Sequence, residues 1–135
     1  MAADRTFLDA NVLLLAFRGS GDKAVAASSL LNDESREFIA SDMLRLELLP
    51  KPDFNKRPEE VRFFEAYFQY AEVVVTTTPT LVQNAEREAR AAGLSTIDAL
   101  HVAAAKQANA DELVTAELPT KPLFRVQGLR ITSIA

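Results

Sequence analysis

The sequence predicts a single α/β domain in which helices flank a mainly parallel central sheet. Short runs rich in apolar and β-branched residues alternate with longer segments at helical spacing, which is the pattern of right-handed βαβ units. The chain has 135 residues, of which 48% are hydrophobic and 25% charged, the size and composition of one globular domain with its own core. We therefore expect residues 1–135 to form one domain.

The first half of the chain predicts two strands and three helices. They are, in order, strand Thr6–Asp9, helix Asn11–Arg18, helix Asp22–Asn32, strand Glu37–Ala40 and helix Asp42–Leu49. Gly19 and Gly21 close the first helix, and Ser41 can cap the third. Because proline stops a helix, Pro50 ends the third helix, and the proline-rich stretch Pro50–Pro58 is predicted to be a long loop.

The second half predicts three more helices and the remaining strands. They are helix Pro58–Ala71, strand Glu72–Thr77, a helix from Pro79 to Gly93, helix Ser95–Ala110, and closing strands Leu113–Thr115, Leu123–Val126 and Leu129–Ile134. Prolines suit the first turn of a helix, and β-branched residues suit strands. The helix from Pro58 carries an aromatic stripe that we expect in the core, formed by Phe63, Phe64, Tyr67 and Phe68.

Composition excludes several classes of protein. The chain has no cysteine, so it has neither disulfides nor a thiolate zinc site, which fits a cytoplasmic location. The apolar start is too short to cross a bilayer, and we expect neither a signal peptide nor membrane association. A net charge of −4 argues against binding nucleic acid by bulk attraction. A nucleic-acid substrate would need a local basic rim, for which the candidates are Arg18, Arg45, Lys51, Lys56 and Arg57.

Four acids interrupt or follow apolar runs. Asp9 closes the first strand, Glu47 lies in MLRLELL, Asp98 lies in STIDALHVAAA, and Glu117 follows LVTA. Ligands of parallel α/β sheets bind beyond the carboxyl ends of the strands, and we expect all four acids to face that region.

Each acid taken alone also has a structural explanation. Asp9 can cap the helix that follows it, and Asp98 completes a capping box with Ser95. Glu47 can pair with Lys51 at helical spacing.

As a set, the acids indicate a metal site. Two like charges about 4 Å apart repel by roughly 4 kcal/mol at an effective dielectric near 20, so a group of carboxylates needs a counter-charge. Mg²⁺ or Mn²⁺ prefers such oxygen ligands, whereas a single histidine and no cysteine make zinc a poor fit. An ion of this kind can bind a phosphodiester oxygen and lower the pKa of a bound water, which points to hydrolysis of nucleic acid.

These residues resemble the PIN-domain family, and among its members the VapC toxins of bacterial toxin–antitoxin pairs are most similar. The resemblance rests on four parts of the chain. They are the segment FLDANVLL with Asp9 and Asn11, the helix with Glu47, and the segments GLSTIDALHVAAA and ELVTAE. The resemblance implies a PIN-like fold and an Mg²⁺- or Mn²⁺-dependent ribonuclease whose products carry a 5′ phosphate. It also implies an antitoxin partner and a homodimer, for which the aromatic helix offers apolar area unless that helix is wholly buried.

The resemblance assigns roles residue by residue. Asp9, Glu47 and Asp98 become metal-binding catalytic acids. Glu117 stands where the family usually has an aspartate, so it is either a further metal ligand or a surface residue. Thr115 could donate a hydrogen bond to an acid or to the water, and its alternative role is packing at the strand end. His101 lies three residues after Asp98 and, as a lone histidine, is expected to be structural.

Two other functions remain open. A receiver-like phosphoacceptor domain also uses carboxylates and Mg²⁺ on a parallel sheet, but it has a phosphorylated aspartate at the end of its third strand, where this chain has threonines. A PIN-fold interaction module without chemistry is the second alternative, and Glu117 is the residue that favours it. The absence of GxGxxG and GxxxxGK[ST] patterns excludes common nucleotide-binding motifs.

Overall fold

Five parallel strands form the centre of the fold in the computed structural model, which describes residues 4–135. The strands are β1 (Asp4–Leu8), β2 (Arg36–Ser41), β3 (Val73–Val75), β4 (Glu112–Thr115) and β5 (Arg130–Ser133). Their order across the sheet is β3-β2-β1-β4-β5, and all four neighbouring pairs are parallel. The predicted α/β architecture with a parallel sheet is confirmed.

Helices cover the sheet. They are α1 (Ala10–Arg18), α2 (Asp22–Leu31), α3 (Asp42–Leu48), α4 (Pro50–Phe54), α5 (Pro58–Tyr70), α6 (Pro79–Ala92), α7 (Thr96–Gln107) and a short 3-10 helix (Pro122–Arg125). Ser41 and Ser95 cap α3 and α7 through their hydroxyls, and Gly93 ends α6 in the left-handed conformation at φ 71°. None of the helices in residues 4–135 is both long and apolar enough to span a membrane.

Two predicted elements are wrong. The stretch from Pro50 is not a long loop, because Pro50 opens the short helix α4, a position in which its missing N–H costs nothing. Leu123–Val126 is not a strand. Pro122 starts a 3-10 helix there. Leu123 is buried in the core, at 1% exposure, so its apolar side chain reflects burial and not a strand.

Some predictions concern the ends of the chain or the surface of α5. The expectation that the chain starts without a signal peptide falls partly on residues 1–3, which lie outside the described residues.

The aromatic stripe of α5 is mostly core, since Phe64, Tyr67 and Phe68 are buried. Little of it is therefore available to form a dimer.

The core lies where small side chains let α7 approach the sheet. Ala99, Ala103 and Ala104 of α7 are all buried, against strand residues such as Phe7 and Ile39. This close packing brings the first turn of α7 to the carboxyl ends of the strands. Asp98 is therefore carried towards the end of β1.

A buried charge network holds the opposite, amino-terminal end of the sheet. Glu112 of β4 accepts hydrogen bonds from Arg36 of β2 at 2.6 Å and from Thr132 of β5 at 2.5 Å. Arg36 also donates to the buried hydroxyl of Thr6 in β1 at 2.8 Å. The network ties four neighbouring strands together and lies at the other end of the sheet from the four acids.

Candidate metal centre

Asp9, Asp98 and Glu117 meet beyond the carboxyl ends of β1 and β4. Asp9 follows β1, and its amide donates to the carbonyl of Val114 at 2.9 Å, so it lies beside the end of β4. Asp98 comes from the first turn of α7, and Glu117 follows β4 by two residues. Each of the three acids offers a carboxylate oxygen, and these oxygens lie within 4.8 Å of one another.

Glu47 reaches the same region from α3 but on the other side of Asp9. It forms a second group with Asp9 and His101, whose ligand atoms also lie within 4.8 Å of one another. Over the described range 4–135, no such group contains all four acids. The four carboxylates thus form two adjoining groups that share Asp9.

Asp9 is the most buried of the four acids, with 6% exposure. Its carboxylate caps α1 by accepting from the amide of Ala10 at 2.8 Å, and it accepts from the hydroxyl of Thr115 at 3.0 Å. Burial raises the pKa of Asp9, and the nearby charge of Asp98 adds to the increase. Asp9 therefore does cap α1, but the cap does not remove the energetic cost of burying an ionised carboxylate in this position.

Glu117 lies in a similar electrostatic environment. Burial raises its pKa, and the charges of Asp98 and Asp9 raise it further. Its side chain is half-buried and directed into the group rather than being a free surface glutamate. The longer side chain therefore spans the distance that separates this position from Asp9.

Thr115 joins these residues from a fully buried position, with 0% exposure. Its hydroxyl donates to Asp9 and accepts from the side chain of Asn11 at 3.3 Å and from the amide of Glu117 at 3.1 Å. Asn11 in turn accepts from the amide of Ala116 at 3.0 Å. The end of β4 is thus fastened to the start of α1, and the hydroxyl does more than pack.

His101 is the site residue that sequence reasoning set aside. Its Nε2 lies 2.8 Å from Oε1 of Glu47 and 3.9 Å from Oδ1 of Asp9. The expectation treated it as a lone histidine because no second histidine or cysteine is present. The available signal was its position one helical turn after Asp98, which places both residues on neighbouring parts of one helix face.

The basic residues proposed as a rim fall into two sets. Arg18 donates to Glu60 from Nε and Nη2, at 2.5 and 2.6 Å, and Arg45 donates to Glu65 at 2.6 and 3.0 Å. The remaining three lie on or next to α4 and are exposed, namely Lys51, Lys56 and Arg57.

The donor set suits a hard divalent cation. Within the described part of the chain, no lysine or arginine lies within ion-pair distance of Asp9, Glu47, Asp98 or Glu117. His101 contacts Glu47, and Lys121 acts on Glu117 only from a longer distance. Oxygen donors that converge without a matching side-chain cation are what Mg²⁺ and Mn²⁺ require. A buried carboxylate with a raised pKa is a further sign that positive charge is missing from the side chains.

Comparisons with known proteins agree on the fold. The sequence model of the family described as PIN domain matches residues 6–117. A search of curated proteins gave no match. Similar solved structures include VapBC2 from Rickettsia felis bound to a promoter DNA fragment, with TM-score 0.71 and 17% identity over 96% of this chain and 98% of that one.

Two further structures are about equally similar. DNA-bound VapBC from Salmonella typhimurium has TM-score 0.71 and 18% identity, covering 98% of this chain and 99% of that one. A toxin–antitoxin complex from Klebsiella pneumoniae has TM-score 0.70 and 15% identity, covering 96% and 98%. At these identities the likeness concerns the fold.

Proposed function

The chain belongs to the PIN domain family, and on that basis we propose that it is a metal-dependent endoribonuclease and the toxin of a type II toxin–antitoxin pair. The observation that carries the proposal is the convergence of Asp9, Asp98 and Glu117 from separate elements of the fold. Glu47 adjoins them through Asp9. Packing alone gives no reason to gather these carboxylates.

The energy of the arrangement supports a bound cation. Two unit charges at 4.8 Å, the limit within which the ligand atoms of the group lie, repel by about 3.5 kcal/mol at an effective dielectric of about 20. Several such pairs would be a large fraction of the 5–15 kcal/mol that typically separates folded from unfolded domains. A divalent cation turns this repulsion into attraction, so the cluster favours binding one.

Asp9, Asp98 and Glu117 would hold the ion, which we expect to be Mg²⁺ or Mn²⁺, and Glu47 is proposed as a further ligand from the adjoining group that shares Asp9. When bound, it supplies Lewis-acid chemistry, polarising a phosphodiester oxygen and making water a better nucleophile. Asp9 is held for this task by Thr115 and Ala10, and Asp98 by its place in the capped first turn of α7. We expect hydrolysis to leave a 5′ phosphate on the RNA product.

Glu117 takes a direct part in this proposal. Its carboxylate lies within 4.8 Å of the ligand atoms of Asp9 and Asp98, although the family usually has the shorter aspartate here. A glutamate that reaches the group favours an active enzyme over an interaction module without chemistry. We therefore propose Glu117 as a ligand.

The receiver-like alternative receives no support from the geometry. β3 ends at Val75 on the edge of the sheet, and the amide of Thr77 beyond it donates to Asp42. No carboxylate ends that strand to accept a phosphoryl group. The four acids lie instead around β1 and β4.

An antitoxin is the partner that the similar structures suggest. Two of them are VapBC assemblies and a third is a toxin–antitoxin complex. We propose that this chain likewise binds an antitoxin. We also propose that it acts in the cytoplasm and forms a homodimer, whose interface would lie outside the buried aromatic residues of α5. Co-expression with the product of a neighbouring gene tests the first point, and static light scattering tests the last.

RNA cleavage tests the proposed chemistry. Wild type and Asp9→Asn are incubated with a structured RNA in Mg²⁺, in Mn²⁺ and in chelator, with Asp53→Asn as the control because Asp53 is an exposed acid on α4. We expect cleavage by wild type and the control only with metal, and none by Asp9→Asn. Cleavage by Asp9→Asn at the wild-type rate would defeat the assignment.

A further inference from the structure

Glu47 differs from the other acids in how it is held. It lies near the end of α3, and its side chain is 36% exposed. In residues 4–135, the one hydrogen bond to its carboxylate comes from His101, at 2.8 Å to Oε1. A glutamate this exposed would otherwise sample several rotamers, and fixing it has an entropic cost.

His101 is rigid enough to fix it. The imidazole is 2% exposed and packs on the ring of Phe7 in β1, with ring centroids 5.2 Å apart. It belongs to α7, one turn beyond Asp98, so a single helix carries one acid of the first group and the partner of Glu47.

The hydrogen positions on the ring follow from its partners. A carboxylate can only accept, so Nε2 of His101 must carry the hydrogen that binds Glu47. Nδ1 is buried and has no partner among the described residues. A bare Nδ1 leaves no N–H group unpaired, and this tautomer is the one that the surroundings favour.

The same argument decides against His101 as a metal ligand. To ligate through Nε2, the ring would have to move its hydrogen to Nδ1, where it would be buried without an acceptor. It would also release Glu47. The imidazole is therefore better suited to act on the metal through Glu47.

We propose that His101 is a positioning residue that holds Oε1 of Glu47 and leaves the other carboxylate oxygen free to bind the cation. This inference rests on the proposed metal site. Hydrogen-bond partners of metal ligands typically contribute 10–100-fold to metal affinity. Loss of the His101 donor should therefore weaken cation binding by about that factor.

The test uses three variants of His101. His101→Gln keeps an N–H donor near the position of Nε2, and His101→Phe keeps the aromatic packing on Phe7 but removes the donor. His101→Leu removes both. Electron paramagnetic resonance measures the dissociation constant for Mn²⁺, and melting in chelator checks folding.

The expected pattern separates positioning from general stability. His101→Phe should raise the dissociation constant for Mn²⁺ about 10–100-fold, and His101→Gln should stay within about threefold of wild type. Glu47→Gln should weaken binding at least as much as His101→Phe does, and the double variant should be no worse than Glu47→Gln alone. His101→Leu supplies the same comparison if His101→Phe fails to fold.

Three results would overturn the inference. They are wild-type affinity in His101→Phe, equal weakening in the Phe and Gln variants, and a nitrogen coupling to Mn²⁺ in spin-echo spectra, which would make His101 a ligand. Failure of the wild type to bind Mn²⁺ would remove the metal site and this inference with it. Normal Mn²⁺ results without RNA cleavage would leave the inference standing and refute the ribonuclease.

Discussion

Asp9→Asn should make the protein more stable when no divalent cation is present. Asp9 is buried, and its pKa is raised by burial and by Asp98, so its charge destabilises the folded state at neutral pH. The asparagine has nearly the same shape and no charge. A substitution that abolishes activity is thus expected to raise the free energy of unfolding in chelator.

The size of the gain follows from two opposing effects. Burial of the charge is the largest destabilising effect on Asp9. Repulsion from Asp98 and Glu117 adds to it, at about 3.5 kcal/mol for each pair at an effective dielectric of about 20, and solvent around these half-buried partners reduces that repulsion to roughly half. Asparagine loses one of the two hydrogen bonds that Asp9 accepts, which costs about 1.5–3 kcal/mol. From repulsion alone the net gain is about 0.5–2 kcal/mol, or about 2–8 °C in melting temperature.

Thermal unfolding in chelator at pH 7.5 measures this gain. Asp53→Asn is the control and should lie within about 0.5 kcal/mol of wild type. With Mn²⁺ at about 100 times its dissociation constant, wild type should gain about 2.7 kcal/mol while Asp9→Asn gains little. Melting of Asp9→Asn below wild type in chelator would refute the reasoning.

The pH dependence gives the same prediction an independent check. Because the pKa of Asp9 is higher in the folded than in the unfolded state, the folded state binds its proton more readily. The stability of wild type relative to Asp9→Asn in chelator should therefore fall as pH rises from the unfolded pKa of Asp9 through the folded one. The advantage of Asp9→Asn should shrink as pH is lowered towards about 4.

Three further predictions concern other residues. Thr115→Val leaves the amide of Glu117 without its acceptor and should lower stability by about 1–3 kcal/mol and slow cleavage, whereas Thr115→Ser should restore both in urea unfolding and activity assays. Arg36→Met removes the shorter of the two ion pairs of Glu112, which keeps Thr132 and Arg130 as partners, and should lower stability by about 1–3 kcal/mol at unchanged cleavage per folded molecule; normal stability would contradict the network. Glu117→Gln should weaken Mn²⁺ binding in calorimetry, and unchanged affinity would return Glu117 to the surface.

Helices were the most predictable part of the fold because capping residues and prolines close in the sequence determine where they begin and end. Ser41, Pro58, Pro79 and Ser95 begin helices as expected, and Gly93 ends one. Each acts on its own backbone or within one turn, so no knowledge of distant residues is needed.

The wrong predictions, the loop from Pro50 and the strand Leu123–Val126, lie where one local pattern is compatible with two different structures. Pro50 can stop one helix or open another, and α4 follows α3 directly where Leu48 and Leu49 pack into the core and Pro52 is buried. Leu123 and Val126 are buried, and burial of apolar residues does not distinguish a strand from a 3-10 helix.

The candidate site was only partly predictable. Acids after strands could be expected at one end of a parallel sheet, but the division into two groups around Asp9 depends on side-chain directions from α3 and α7. The contact between Glu47 and His101 joins residues 54 positions apart in the chain. Only the packing of α3 against α7 brings them together.

Anomalous diffraction from crystals soaked in Mn²⁺ tests the central claim most directly. Convergent carboxylates that hold a cation predict an anomalous peak beside Asp9, within bonding distance of at least one oxygen of Asp98 or Glu117, and no such peak in Asp9→Asn crystals. Carboxylates seen at this end of the sheet with no anomalous peak between them, or with the peak elsewhere on the molecule, would contradict the account.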